Sequence, residues 1–330
     1  MLGDALLVVS FGGPEKPEDV EPFLENVLRG RNVPRQRLLE VKRHYDLFGG
    51  RSPLNEQNRA LTAALRGRLG AAGPRLPVYW GNRNWAPRLE DTLREMAQDG
   101  VTRAFAFLTS AFSSYSSCRQ YLEDIERARG EVGQAAPRVE KLRGLFNHPG
   151  FVEAHAARLG DALRSAEDAA VVFTAHSIPM AMARACAYEA QLREAAGLVA
   201  RNAGVNEWTL AFQSRSGPPS QPWLEPDVND HLRRLASDGA RSVLLSPLGF
   251  LSDHMEVVYD LDTEARATAD RLGLKLVRAG TPGTHPALVD AIRELLLERL
   301  EGAPKRWLGD LGPLPDTCPE ECCPSGRLFR

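Results

Sequence analysis

The sequence predicts an α/β protein of two similar halves, each a parallel sheet covered by helices. Six short apolar runs rich in Val, Leu and Phe alternate with longer amphipathic stretches, the pattern of buried parallel strands joined by helices. Asp91 to Phe107 (DTLREMAQDGVTRAFAF) aligns without gaps on Asp230 to Ser246 (DHLRRLASDGARSVLLS), with six of seventeen positions identical. Each copy reads as an amphipathic helix, an Asp-Gly stop and an apolar strand. A repeat of this size implies two similar sheets rather than a solenoid of many short units. The 330 residues also exceed what one core usually holds. The expected division is 1–150, 151–305 and an irregular tail, 306–330.

The first strand is ALLVVSFGG (5–13), and its glycine pair Gly12-Gly13 lacks the spacing of a phosphate-binding loop, so no nucleotide is expected. LPVYWGN (76–82) and TRAFAFLTSAF (102–112) complete the first half. AAVVFTAHS (169–177), WTLAFQS (208–214) and SVLLSPLGF (242–250) supply the second. The first strand of each half ends on a comparable motif, SFGGP and TAHSIP. Ligands of open α/β sheets bind beyond the carboxyl ends of strands, which is where His176 falls. A core histidine with a backbone partner is the plain alternative. Beyond 250, VVYDLDTEARATADRL has helical periodicity, and Glu256, Asp260 and Glu264 stand four residues apart. On a helix they make a one-sided acidic ladder with about 6 Å of rise per step. Like charges so placed repel by a few tenths of a kcal/mol per pair; an exposed acidic face is the competing reading. An imidazole from one half and a carboxylate from the other, meeting across a cleft, would suit proton acceptance and the holding of a borderline divalent metal.

Composition narrows the function. With 43% hydrophobic and 25% charged residues and a formal net charge of -2, the chain has no basic excess to neutralise phosphates, and no nucleic-acid partner is expected. The opening MLGDALLVVS has no basic region and is interrupted by Asp4, unlike a signal peptide. No apolar run approaches the ~20 residues of a membrane span, so a cytoplasmic protein without a transmembrane segment is expected. Five cysteines are too few for a disulfide scaffold. Three of them, Cys318, Cys322 and Cys323, fall in a tail with five prolines in 28 residues. That spacing in a reducing compartment points to metal before disulfide, and three thiolates are one short of a tetrahedral set. Structural zinc and unligated thiols are the alternatives. Cys186, on an amphipathic stretch, reads as packing.

Five motifs then occur in order: SFGGPEKPEDVEPFLENVLRGR (10–31), HYDLFGGRSPLN (44–55), FTAHSIP (173–179), QSRSGPPSQPWLEPDV (213–228) and PLGFLSDHMEVVYDLDTE (247–264). Over residues 4 to about 300 they resemble the ferrochelatases, enzymes that insert ferrous iron into a porphyrin, and most closely the actinobacterial type. The resemblance implies two similar Rossmann-like domains, each a parallel four-stranded sheet flanked by helices, with an active-site cleft between them. It gives His176 and Glu256 the roles of base and metal ligands, with Asp260 and Glu264 as a path for metal and protons. Phe11 occupies a position where family members often place a tyrosine; its ring can stack on a porphyrin but cannot ligate iron. Arg29, Arg31, Tyr45, Ser52 and Tyr115 are implied to hold propionates, to which guanidinium forks and hydroxyls are suited. Cys118 joins the three tail cysteines as ligands of a 2Fe-2S cluster. Iron and porphyrin are substrates. Coproporphyrin III is favoured over protoporphyrin IX because the amino-terminal half looks actinobacterial and the segment 45–55 lacks a long apolar lip. A porphyrin or iron carrier on the same fold, and a cobalt or nickel chelatase, are the other readings. Transient contact with the preceding and following heme-pathway enzymes, and a monomer, complete the expectations.

Overall fold

The computed structural model describes residues 3–30, 33–218, 220–319 and 321–325. They divide into two compact units: Met1–Thr109 with Tyr121–Leu142 and Ser252–Met255, and Ser110–Gln120 with Arg143–Leu251 and Glu256–Arg330. The division thus comes earlier than residue 150, and short segments cross it. The physical reason lies at Arg143, whose guanidinium makes two 2.7 Å bonds to the Glu298 carboxylate. Both side chains are buried, and together they tie the chain after residue 142 to the second unit.

The first unit contains β1 (Asp4–Ser10), α1 (Pro17–Val27), α2 (Arg35–Asp46), α3 (Leu54–Ala72), β2 (Val78–Asn82), α4 (Leu89–Gln98) and β3 (Arg103–Leu108). A π-helical turn, Tyr115–Arg119, belongs to the second unit and leads into α5 (Gln120–Val132), and β4 (Arg138–Lys141) follows. The strands pair in parallel in the order β2-β1-β3-β4. From Ala5 onward β1 is buried on both faces, which is why its sequence does not alternate. Leu7 and Val9 pack with Leu93 and Met96 of α4 and Ile125 of α5. The Asp-Gly stop after α4 works as expected: Gly100 takes φ +79, a left-handed closure without steric penalty for glycine.

The second unit contains α6 (Pro149–Leu163), β5 (Ala170–His176), α7 (Met180–Arg184), α8 (Tyr188–Asn202), β6 (Trp208–Gln213), α9 (Val228–Ser237), β7 (Ser242–Ser246) and α10 (Met255–Val258). A second π-helical turn, Asp260–Ala265, passes into α11 (Arg266–Leu272), then β8 (Lys275–Arg278) and α12 (Pro286–Leu300). Its parallel sheet repeats the first in its order, β6-β5-β7-β8. The ungapped repeat is therefore α4 with β3 and α9 with β7. Each sheet has one strand more than the apolar runs reveal. β4 (RVEK) and β8 (KLVR) are four-residue edge strands, and their charges both hide them in the sequence and discourage pairing with another chain.

The described part of the tail is irregular but anchored to the second unit. Arg143 donates to the Arg306 carbonyl at 2.9 Å and Asn147 to that of Gly312 at 2.8 Å. Glu194 on α8 accepts from the backbone of Asp310 and Leu311 at 2.8 and 2.9 Å. Arg119 reaches the carbonyls of Pro319 and Cys322 at 2.5 and 3.2 Å, fixing the cysteine segment beside the first π-helical turn. No helix among the described residues is long and apolar enough to cross a membrane.

Candidate active site

His176 is the last residue of β5, and Glu256 lies just beyond β7, the strand paired beside it. Both belong to the second unit, so the expectation that they come from different halves is corrected. The crossover order places β7 next to β5, and neighbouring strand ends bring the two side chains together. His176 Nε2 stands 3.4 Å from Glu256 Oε1. On the other side of the ring, Nδ1 meets the Ser177 carbonyl at 2.5 Å. That oxygen can only accept, so Nδ1 carries hydrogen and Nε2 is the position that gains or loses a proton. Tyr188 Oη donates to the His176 carbonyl at 3.0 Å and holds the strand end. Gly249 makes this approach feasible: a Cβ there would lie 2.8 Å from Ala175, and its N–H donates to Thr174 O at 3.0 Å.

Partial burial alone would lower the His176 pKa. The Glu256 charge and hydrogen bond, the Ser177 carbonyl and Asp260 outweigh it and hold the ring up at about 9. The imidazole is therefore protonated at neutral pH. Asp260 behaves in the opposite sense: burial first, then Glu256 and Glu264, push its carboxyl up to about 7 against the Ser214 hydrogen bond and the His176 charge. The acidic residues thus remain electrostatic neighbours, but the single helix expected for them is corrected. α10 ends at Val258, and the Asp260–Ala265 turn is π-helical, with Thr263 and Glu264 both donating to Tyr259 O at 3.1 and 2.9 Å. Such turns recur at functional sites.

Two contributors escaped the sequence reading. Gln213, in register with His176 at the end of β6, donates to the Glu256 carbonyl at 2.5 Å. Ser214 donates to Asp260 Oδ2 from a backbone at φ +63, a conformation costly for a residue other than glycine. Both open the motif QSRSGPPSQPWLEPDV, and WTLAFQS ends on a polar side chain just as VVFTAHS does.

In the first unit Phe11 is 37% exposed, with its ring edge-on to Phe23 at 6.2 Å and the Arg83 guanidinium 5.8 Å above it. Tyr45 is buried against Phe23 at 6.0 Å. Ser52 is buried beneath the SFGGP loop: its N–H donates to Pro14 O at 2.9 Å, and a Cβ on Gly13 would come within 2.7 Å of it. Arg29 is exposed after α1, and Arg31 lies outside the described residues. Tyr115 is half-buried in the first π-helical turn, in the second unit.

The sulfurs of Cys322 and Cys323 lie 3.6 Å apart. Burial, that contact and the nearby thiols of Cys186 and Cys318 push Cys323 up to about 12. Cys186 donates to Met182 O at 3.2 Å. Among the described residues no three His, Cys, Asp or Glu side chains are arranged to hold a metal ion.

Two parallel sheets of identical strand order, with an imidazole–carboxylate pair and a buried acid at the strand ends of the second, define an α/β protein of the chelatase type. The fold matches that of SirB from Bacillus subtilis, solved with Fe3+, at a TM-score of 0.57 and 14% identity over 91% of this chain and 98% of that one. Residues 3–300 match the family model Ferrochelatase, and the chain belongs to the ferrochelatase family, making it a metal-insertion enzyme. It is 56% identical to a ferrochelatase of Rhodopirellula baltica, over 97% of this chain and 93% of the relative. It is 53% identical to a coproporphyrin III ferrochelatase of Frankia alni, over 97% of this chain and 86% of that one.

Proposed function

We propose that the protein inserts ferrous iron into coproporphyrin III in heme biosynthesis, with His176 as base and His176 and Glu256 as the residues that meet the metal. The observation that carries this reading is the 3.4 Å His176–Glu256 pair at the strand ends of the second sheet. Insertion exchanges Fe2+ for the two pyrrole protons of the macrocycle, so the site must accept protons while it handles a cation. At neutral pH the resting pair already shares one proton, since the ring sits at about 9. A divalent cation arriving at Glu256 cancels the charge that sustains the imidazolium and lowers that pKa, freeing Nε2 to accept a pyrrole proton. Asp260, poised at about 7, is suited to take protons onward with Glu264. The paucity of protein donors also fits: an ion that must be handed to four ring nitrogens is better held by one or two groups than by a closed cage.

Phe11, Arg29, Arg31, Tyr45, Ser52 and Tyr115 are proposed as porphyrin contacts on the strength of the motifs that contain them. Relatives named for coproporphyrin III support that substrate. Anaerobic kinetics with coproporphyrin III and protoporphyrin IX in parallel decide it, and a preference for protoporphyrin IX would overturn it. For the base, His176→Ala should lower the insertion rate by about 10²–10⁴ while porphyrin still binds. An unchanged rate removes His176 from the mechanism.

A 2Fe-2S cluster on Cys118, Cys318, Cys322 and Cys323 is a further proposal, supported by the anchoring of the cysteine segment to Arg119, the neighbour of Cys118. Protein purified anaerobically should show visible absorbance that Cys318→Ser abolishes. Colourless native protein, or an unchanged spectrum in the variant, would exclude the cluster.

A further inference from the structure

Gln213 is 1% exposed, and its amide hydrogens are engaged with two acidic residues. Nε2 donates to Glu256 O at 2.5 Å and reaches Asp260 Oδ2 at 3.5 Å. Ser214 donates to the same Oδ2. The opposite amide orientation would turn the Gln213 oxygen toward a carbonyl and a carboxylate, two acceptors that repel it, so the contacts fix the amide as described. Its Oε1 is then buried without a hydrogen-bond partner. An acceptor left in that state keeps an unmet desolvation penalty, and the amide that carries it reaches the Glu256 carbonyl and the Asp260 carboxyl through its nitrogen. A spare acceptor on an amide that holds two acidic residues suits a hydrated divalent cation, whose bound waters are strong donors.

We propose that Gln213 is a positioning residue for the metal. Its NH2 group fixes the Glu256 backbone and the Asp260 carboxyl, and its Oε1 accepts a hydrogen bond from a water on the incoming ion. This rests on the reading of Glu256 as the residue that meets the metal. Groups that orient a metal ligand from behind are worth 10–100-fold in affinity, and the assignment predicts a specific loss.

The test uses Co2+ as probe, titrated into the full-length porphyrin-free protein, beside steady-state kinetics with Fe2+. Gln213→Met keeps the side-chain length and removes both polar atoms. It should weaken Co2+ binding about tenfold or more and raise KM for Fe2+ by a similar factor, with KM for the porphyrin and kcat at saturating iron retained. If both KM values rise together, the residue is merely structural and the proposal fails. Glu256→Gln separates the two levels of the argument. Lost Co2+ binding in Glu256→Gln with native binding in Gln213→Met overturns the role of Gln213 alone, whereas native binding in Glu256→Gln overturns the reading beneath it. Should the methionine variant not fold, Gln213→Asn withdraws the amide by one methylene and carries the same expectation.

Discussion

The two sheets are built to one plan, yet their equivalent strand ends are used in opposite ways. Ser10 pairs in register with Asn82 at the ends of β1 and β2, and His176 pairs with Gln213 at the ends of β5 and β6. In the first unit these positions carry neutral groups bonded to one another's surroundings. Asn58 donates to Ser10 Oγ at 2.7 Å, Asn82 donates to Asn55 at 3.2 Å and Ala86 O at 2.9 Å, and Trp80 donates back to Asn82 at 3.0 Å. In the second unit the same positions hold an imidazole facing a carboxylate and an amide with an idle oxygen. Asn58 also leaves its Oδ1 unpaired, but its amide donates to a serine hydroxyl, not to acids. A closed amide network stabilises a loop; titratable groups in tension keep charge available for chemistry. The difference teaches that a duplicated scaffold can reserve one strand end for support and the other for reaction.

The contrast has a pH signature, and this is the largest effect expected in stability. A histidine held at about 9 when folded and near 6.5 when unfolded binds its proton more tightly in the native state. The stability it contributes is complete below about pH 6.5 and is lost as pH rises through about 9. The stability difference between the native protein and His176→Ala, measured by denaturant titration, should therefore be greatest at pH 6 and shrink steadily toward pH 9.5. A difference that is constant over that range would mean that the Glu256 pairing contributes nothing to folding, and the two strand ends would be energetically alike.

Much of this arrangement was legible in the residues. The inner strands announced themselves because burial on both faces leaves only apolar side chains, while β4 and β8 were hidden by the charges that protect a sheet edge. His176 and Glu256 stood out singly, at ends of apolar runs. Their common sheet did not, because strand order depends on the direction of chain crossover and leaves no mark in motif spacing. The four-residue period of Glu256, Asp260 and Glu264 was visible, but a π-helical turn changes the register through hydrogen bonding alone, with no compositional trace. Gln213 and Ser214 stand at the head of a motif, but their contacts with Glu256 and Asp260 leave no mark there: a serine at φ +63 looks like any other serine until its backbone is seen.

The smallest predicted effect is the one that tests the supporting end. Ser10 and Asn58 are both buried, and Ser10→Ala deletes the acceptor that Asn58 Nδ2 meets at 2.7 Å. A buried donor stranded in this way costs about 1–3 kcal/mol, because the amide cannot recover the water it gave up on folding. Neither the Ser10 hydroxyl nor the Asn58 amide that donates to it titrates in this range, so the cost should be the same at pH 6 and pH 9.5, unlike that of His176→Ala, and the rate of metal insertion at saturating substrates should be unchanged. A pH-dependent penalty, or a lost rate in folded Ser10→Ala protein, would show that the first strand end also takes part in the chemistry and would remove the asymmetry between the two sheets.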